Sequence, residues 1–289
     1  MGKASRVAII KGSDPIETTV KAINAVKSDL DVVLSAVKPI LIKPNYITAQ
    51  HPSTGVTTDG RVVEGVVKFL KEHGKDNVII GEGSGWADTF EAFKAARIEK
   101  ISEKWKVKLV DLNKDVFVEV YPPNPIALGK VKVAKTALES VIISVPKLKL
   151  HRLATVTLGI KNMMGALASK GSMHNGRLHA NIADLASLLK PSLTVIDGII
   201  AGEGHETSGN PVKMDLVIAG TDPVAVDAVG TAVMGVSPTE VEHLVLAEKK
   251  GLGTYQLEKI EIIGEPIERV RRKFRRSISS KFLNISENF

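Results

Sequence analysis

Short runs of aliphatic and β-branched residues recur at positions 7–10, 40–42, 78–80, 107–110, 141–145, 193–196, 216–219 and 260–263. Several are continuous rather than alternating, the pattern of strands buried on both faces. Between them the apolar positions follow a helical period, which predicts helices over 16–27, 59–73, 89–98, 154–165, 179–189, 223–234 and 239–249. Thr57 and Thr58 are cap candidates for the second of these, and Asp222 followed by Pro223 is the ordinary start of a helix. Strands alternating with helices at this spacing predict an α/β fold, a multi-stranded, mostly parallel or mixed sheet with helices on both faces. Residues 116–133, with Pro122-Pro123 and Asn124-Pro125, break the pattern and read as a small irregular or antiparallel β insertion. The Gly/Ser/Asn-rich stretch 168–177 has no core pattern and is a candidate mobile lid.

Residues 1–264 therefore read as a single α/β domain and 265–289 as a basic amphipathic tail. In that tail Ile267, Val270, Phe274, Ile278 and Phe282 recur at spacings of three and four, with Arg269, Arg271, Arg272, Lys273, Arg275 and Arg276 between them, which predicts a helix. Packing of its apolar stripe on the body or on a second copy of the chain is one expectation. A contact with nucleic acid, anionic lipid or an acidic partner is the other.

Composition narrows the chemistry. The chain of 289 residues is 44% hydrophobic, enough for a sizeable core, and no apolar stretch is long enough to span a bilayer. The first residues lack a signal-peptide pattern, so the expected location is the cytoplasm. Cysteine is absent, which excludes a disulfide, a Cys-ligated zinc or iron–sulfur site and a thiol nucleophile; any metal must be held by His, Asp or Glu. Two glutamines, no cysteine and abundant Lys and Glu resemble a heat-adapted composition. Of the net charge of +7, the tail carries +4, from seven Lys/Arg against three Glu, leaving a mildly basic body. Aromatic content of 4% argues against a single-stranded nucleic-acid surface, which pairs cations with stacking rings.

In open α/β sheets ligands bind beyond the carboxyl ends of the strands. Here four strand ends lead into polar residues: Lys43-Pro44-Asn45, Gly81-Glu82-Gly83-Ser84-Gly85, Pro146-Lys147-Leu148-Lys149-Leu150-His151 and Asp197-Gly198. Each alone is an ordinary turn or strand end; the coincidence of four points to a shared cleft. Lys161 and Asn162, and Asp227, stand in otherwise apolar segments, where a lone charge needs a partner or a ligand. Pairing of Lys161 with Asp227 and a shared pocket both remain open at this point. Lys170 and His174 lie in the candidate lid, with Arg177, His179 and Asp184 following, and Gly202-Glu203-Gly204-His205-Glu206 is a second polar loop at the same expected mouth.

The order of Lys43-Pro44-Asn45, Val145-Pro146-Lys147-Leu148-Lys149-Leu150-His151, Ile160-Lys161-Asn162-Met163-Met164-Gly165, His174, Asp184-Leu185, Ile196-Asp197-Gly198 and Ala219-Gly220-Thr221-Asp222-Pro223-Val224-Ala225-Val226-Asp227 resembles the family catalogued as domain of unknown function 362, over about residues 5–255. The resemblance implies the fold more than a reaction. Members often carry a ferredoxin-like iron–sulfur segment, and this cysteine-free chain departs there. A second likeness, of layout only, is to nickel-dependent lactate racemases, with an apolar strand leading to a Lys/His-rich site.

These readings assign His151, His174 and Lys161 as candidate catalytic residues, and Lys43, Asn45, Lys147, Lys149, Asn162 and Lys170 as candidate binders of substrate. Glu82, Asp197 and Asp227 are candidate ligands for a divalent metal. The expected function is an enzyme acting on a small anionic metabolite, a carboxylate or phosphate. The competing readings are a nucleic-acid or anionic-surface binder working through the tail, and a redox accessory protein docking an iron–sulfur partner. A homo-oligomer is a further expectation.

Overall fold

The computed structural model describes residues 4–208 and 210–277. These form the strands β1 (Ser5–Lys11), β2 (Ile40–Pro44), β3 (Val78–Glu82), β4 (Lys108–Asp111), β5 (Phe117–Val120), β6 (Val131–Ala134), β7 (Val141–Val145), β8 (Lys147–His151), β9 (Thr155–Val156), β10 (Leu193–Glu203), β11 (Asn210–Gly220) and β12 (Ile260–Gly264). Ten strands make one mixed sheet along the path β12-β1-β11-β10-β7-β2-β3-β4, with β8 against β10 and β9 against β8. Parallel pairing joins β12 to β1 and runs unbroken from β10 through β7, β2 and β3 to β4. β11 is antiparallel to both β1 and β10. β5 and β6 pair antiparallel in a separate sheet, the small insertion that the proline-rich stretch predicts.

The continuous apolar runs are strands covered on both sides. Successive residues of a strand point to opposite faces, so Ile40 and Ile42 enter one core while Leu41 enters the other. The helices Pro15–Ala25, Gly60–Glu72, Thr89–Ala95 and Ile98–Trp105 fill the first core against Ile80, Ile143 and Val217. Leu178–Leu188, Pro223–Val233 and Glu242–Lys249 fill the second against Ile142, Ile196 and Ile218. Asp222 caps its helix as expected, accepting the N–H groups of Val224 and Ala225.

Two predicted helices take other forms. Residues 154–165 carry β9 and a 3-10 segment, Lys161–Ala166, instead of an α-helix. The carboxylate of Asp227 is the reason: it accepts the N–H of Gly159 at 2.7 Å and of Ile160 at 3.0 Å, groups that a helix would have bonded to its own carbonyls. Thr155, held at φ 65°, turns the chain just before, a conformation a β-branched residue adopts only under surrounding constraint.

The tail likewise departs from the predicted helix. One turn, Ile267–Val270, is followed by extended chain whose Arg272 and Phe274 N–H groups bond Val233 and Met234 carbonyls. Glu203 accepts both the N–H and the Nε of Arg275, and Arg276 bridges to Gly204. Backbone partners on the body thus outbid a free helix, and Val270 and Phe274 are buried on it. Ile278 and Phe282 lie outside the described residues.

Candidate functional site

Beyond the carboxyl ends of β2 and β3 lies a cavity of about 760 Å³. Its lining includes Lys43, Asn45, Glu82, His151, Lys161, Asn162, Lys170 and His174 from the sequence-predicted set. Tyr46, Ser84, Trp86, Asn113, Arg152, Leu153, Thr157 and Glu206 complete much of the wall. Glu206 comes from the second polar loop; the others carried no individual signal, although Ser84 and Trp86 belong to the glycine-rich turn after β3 and Arg152 adjoins His151.

The floor is a closed network of polar groups. Lys43 Nζ donates to Glu82 Oε1 at 2.6 Å, to Asn162 Oδ1 at 3.1 Å and to the Pro44 carbonyl at 3.1 Å. All three ammonium protons are therefore used inside the chain. Glu82 also accepts the N–H groups of Gly83 and Tyr46, each at 2.8 Å. Asn162 Nδ2 returns to the Lys43 carbonyl at 2.9 Å and to Ser144 Oγ at 3.2 Å. Burial lowers the pKa of Lys43, and Glu82 opposes that shift. Gly165 sits against this pair so tightly that a Cβ there would lie 2.4 Å from Glu82 Oε1 and 2.6 Å from Lys43 Nζ. Lys43, Glu82 and Asn162 thus fix the floor, and the free valences are elsewhere.

Those free valences belong to the wall. Lys161 is 9% exposed and its Nζ has no hydrogen-bond or ion-pair partner among the described residues. Burial, opposed by Glu206 and reinforced by Lys43, brings its pKa down to about 8. Asn45 Oδ1, Ser84 Oγ and Thr157 Oγ1 are buried without a hydrogen-bond partner among the described residues, although their residues line the same cavity. Polar atoms withdrawn from water without partners cost free energy, so each needs an explanation.

His151 has a defined tautomer. Its Nδ1 accepts the N–H groups of Leu153 and Ala154, both at 3.1 Å, in the turn between β8 and β9. The ring proton is therefore on Nε2, which lies 3.8 Å from Glu206 Oε1. Burial, then the charges of Lys161 and Lys149, hold its pKa well below the usual imidazole range. His151 thus presents a neutral N–H donor at neutral pH. His174, less buried, is lowered by burial and by Lys161, and stands on the facing loop. Arg152 Nε lies 3.2 Å from Glu206 Oε1, so that pair largely cancels in charge.

The loop over the cavity is docked. Lys170 Nζ donates to Asn113 Oδ1 at 2.6 Å and to the Leu167 carbonyl at 3.1 Å, and Asn181 Nδ2 donates to the Met173 carbonyl at 3.0 Å. Asp184 is remote from this chemistry; it accepts the N–H groups of Ile126, Ala127 and Leu128 and the ammonium of Lys250. His179 stacks on buried His243, with ring centroids 5.2 Å apart.

Lys147, Lys149, Asp197 and Asp227 do not line the cavity. The register that sets Lys147 opposite Asp197 across β8 and β10 makes a fully buried ion pair of 2.6 Å. The same carboxylate accepts the N–H groups of Asp59 and Ile199. Lys149 Nζ is bound by the carbonyls of Val56 at 2.8 Å and Glu206 at 3.0 Å, and burial together with Lys161 brings its pKa down to about 7. Asp227 is pushed up to about 7 by burial while it holds Gly159 and Ile160; the pairing with Lys161 is not made. The three candidate metal ligands Glu82, Asp197 and Asp227 therefore serve separate networks. Among the described residues no group of three or more His, Asp or Glu is placed to hold a metal ion. No helix among them is long and apolar enough to cross a membrane.

Comparison with known proteins places the chain in a family. Over 233 residues the chain is 28% identical to the "Thylakoid-associated protein sll1697" of Synechocystis sp. (strain ATCC 27184 / PCC 6803 / Kazusa), covering 75% of this chain and 70% of that protein. Residues 40–232, from the first cavity strand through the Asp227 helix, match the family described as Domain of unknown function (DUF362). With two thirds of its length matched, including all the strands that build the cavity, the chain belongs to that family.

Proposed function

We propose that this protein is an enzyme acting on a small anionic metabolite, a carboxylate or phosphate, held in the cavity by the ammonium of Lys161. The observation that carries this reading is Lys161, a residue 9% exposed whose Nζ has no partner among the described residues, beside unpartnered polar atoms of the same wall. An enclosed cation lacking a carboxylate partner is costly in the free protein and favourable only once an anion arrives. The reaction class that fits is proton transfer. Neutral His174 accepts a proton from the bound molecule, while Lys161 and the His151 Nε2–H stabilise the negative charge that develops.

The test is a thermal-shift and calorimetric panel of carboxylates and phosphates on the wild type and on Lys161→Met, followed by deuterium exchange into the ligand in D₂O. Binding lost in Lys161→Met, and exchange lost in His174→Asn with binding kept, is the expected result. Ligands that bind Lys161→Met as tightly as the wild type overturn the reading.

A second reading concerns the surface. Arg269, Arg271, Arg272 and Lys273 are exposed beside the buried Val270 and Phe274, and a relative is named for its association with thylakoids. An anionic lipid surface suits this cationic run. Flotation with vesicles containing anionic lipid, at low and high salt, tests it against Arg271→Glu/Arg272→Glu/Lys273→Glu.

A further inference from the structure

The cavity is larger than a bare oxyanion requires, and its lining combines two kinds of group. Its wall offers Lys161, His151, Thr157 and Asn45, groups that recognise negative charge or hydroxyl oxygens. At the rim stand Trp86, 66% exposed, and Leu153, 40% exposed, although both belong to the cavity lining. Trp86 is fixed there by its backbone, its N–H bonding the Ile47 carbonyl at 2.9 Å, and Ile47 is itself an apolar member of the lining.

A tryptophan left in water at the mouth of this cavity forgoes burial that the fold gives most of its large apolar side chains. We infer that the ligand is an anion carried on a flat apolar body, an aryl or heteroaryl carboxylate or phosphate ester, whose charge meets Lys161 and whose ring lies against Trp86 and Leu153. The inference rests on the anion-binding reading of the same cavity and adds its substrate class. The volume of about 760 Å³ accommodates such a molecule, being within the usual range for ligands of several rings or a ring with a substituent chain. An aromatic face on indole is sequence-independent recognition of any π-surface, so Trp86 selects for the ring and the wall selects for the charge.

Calorimetry with four probes separates these contributions: 1-naphthyl phosphate against methyl phosphate, and 1-naphthoate against acetate. The expected result is that within the phosphate or the carboxylate pair the aryl member binds about tenfold or more tighter. Trp86→Ala removes that preference and leaves the small anion's affinity unchanged, whereas Lys161→Met weakens both members alike. The pair showing the preference identifies the headgroup as phosphate or carboxylate. Equal affinity of aryl and methyl probes in the wild type, or a preference that survives Trp86→Ala, overturns the aryl assignment while leaving anion binding in place. Failure of all four probes to bind, or binding indifferent to Lys161→Met, overturns the anion reading and this inference with it.

Discussion

Replacing Lys161 by methionine should make the ligand-free protein more stable while removing its affinity for anions. The residue is 9% exposed, its ammonium has no hydrogen-bond or ion-pair partner among the described residues, and burial brings its pKa from 10.5 down to about 8. At about 1.4 kcal/mol per pH unit, holding it charged at neutral pH costs the folded state about 3 kcal/mol. Methionine keeps the apolar stem in place and carries no charge, so most of that cost is relieved; Lys149, which Lys161 pushes down, becomes easier to charge as well. For a chain of 289 residues the gain corresponds to about 5 °C in Tm. The sign of the pH dependence follows from the unfolded chain binding the extra proton between the two pKa values. Wild-type stability from this group therefore rises with pH from about 8 to 10.5, and the advantage of Lys161→Met is full at pH 7 and gone by about pH 10.5. Urea denaturation of both proteins at pH 7 and pH 10.5 measures it. A variant less stable than the wild type at pH 7, or an advantage that does not change with pH, refutes the claim that this lysine is held charged for a ligand.

Three further outcomes follow from the geometry. Lys147→Met leaves Asp197 as an uncompensated buried charge and should cost about 3–5 kcal/mol in urea denaturation, without a selective effect on ligand affinity beyond that of reduced folding. Gly165→Ala drives a Cβ into the Lys43–Glu82 pair; calorimetry should show anion binding weakened and denaturation a loss of about 1–3 kcal/mol. Truncation after Arg271 exposes the site of Phe274 and removes the Arg275–Glu203 pair, so a loss of about 2–3 kcal/mol is expected with cavity binding retained, since neither residue lines it.

The sheet was legible because its signal is local. Continuous runs such as 141–145 and 193–196 are strands covered by helices on both faces, and hydrophobic pattern reports that covering directly. The segment 154–165 was illegible because its form is set from far along the chain. Nothing in its own apolar pattern reveals that Asp227 will take the N–H groups of Gly159 and Ile160. The tail failed for a related reason: its period of three and four is real and Val270 and Phe274 are buried, but Val233, Met234 and Glu203 supply backbone and side-chain partners that favour extended chain. Local periodicity predicts which side chains are buried more securely than the backbone form that buries them.

The same distinction governs the site. Position after a strand brought Lys43, Asn45, Glu82 and His151 to one cavity, yet it says nothing about which charges are already spent. Lys43 and Lys147 sit after strands just as a ligand-binding lysine does, and each is neutralised by a carboxylate placed opposite by sheet register or strand adjacency. Lys161 lies in a segment whose apolar pattern predicts a helix that does not form, and among the buried lysines it is the one whose ammonium no group of the described residues satisfies. In a parallel sheet a strand-end lysine has a neighbouring strand end within reach, so its charge tends to be consumed by the fold. Lys161, on the 3-10 segment, feels Glu206 but has no carboxylate within ion-pair distance among the described residues. The position least expected from strand topology is therefore the one whose charge the fold leaves uncompensated, and the hydrogen bonds that Asp227 makes to Gly159 and Ile160 hold the irregular backbone that precedes it.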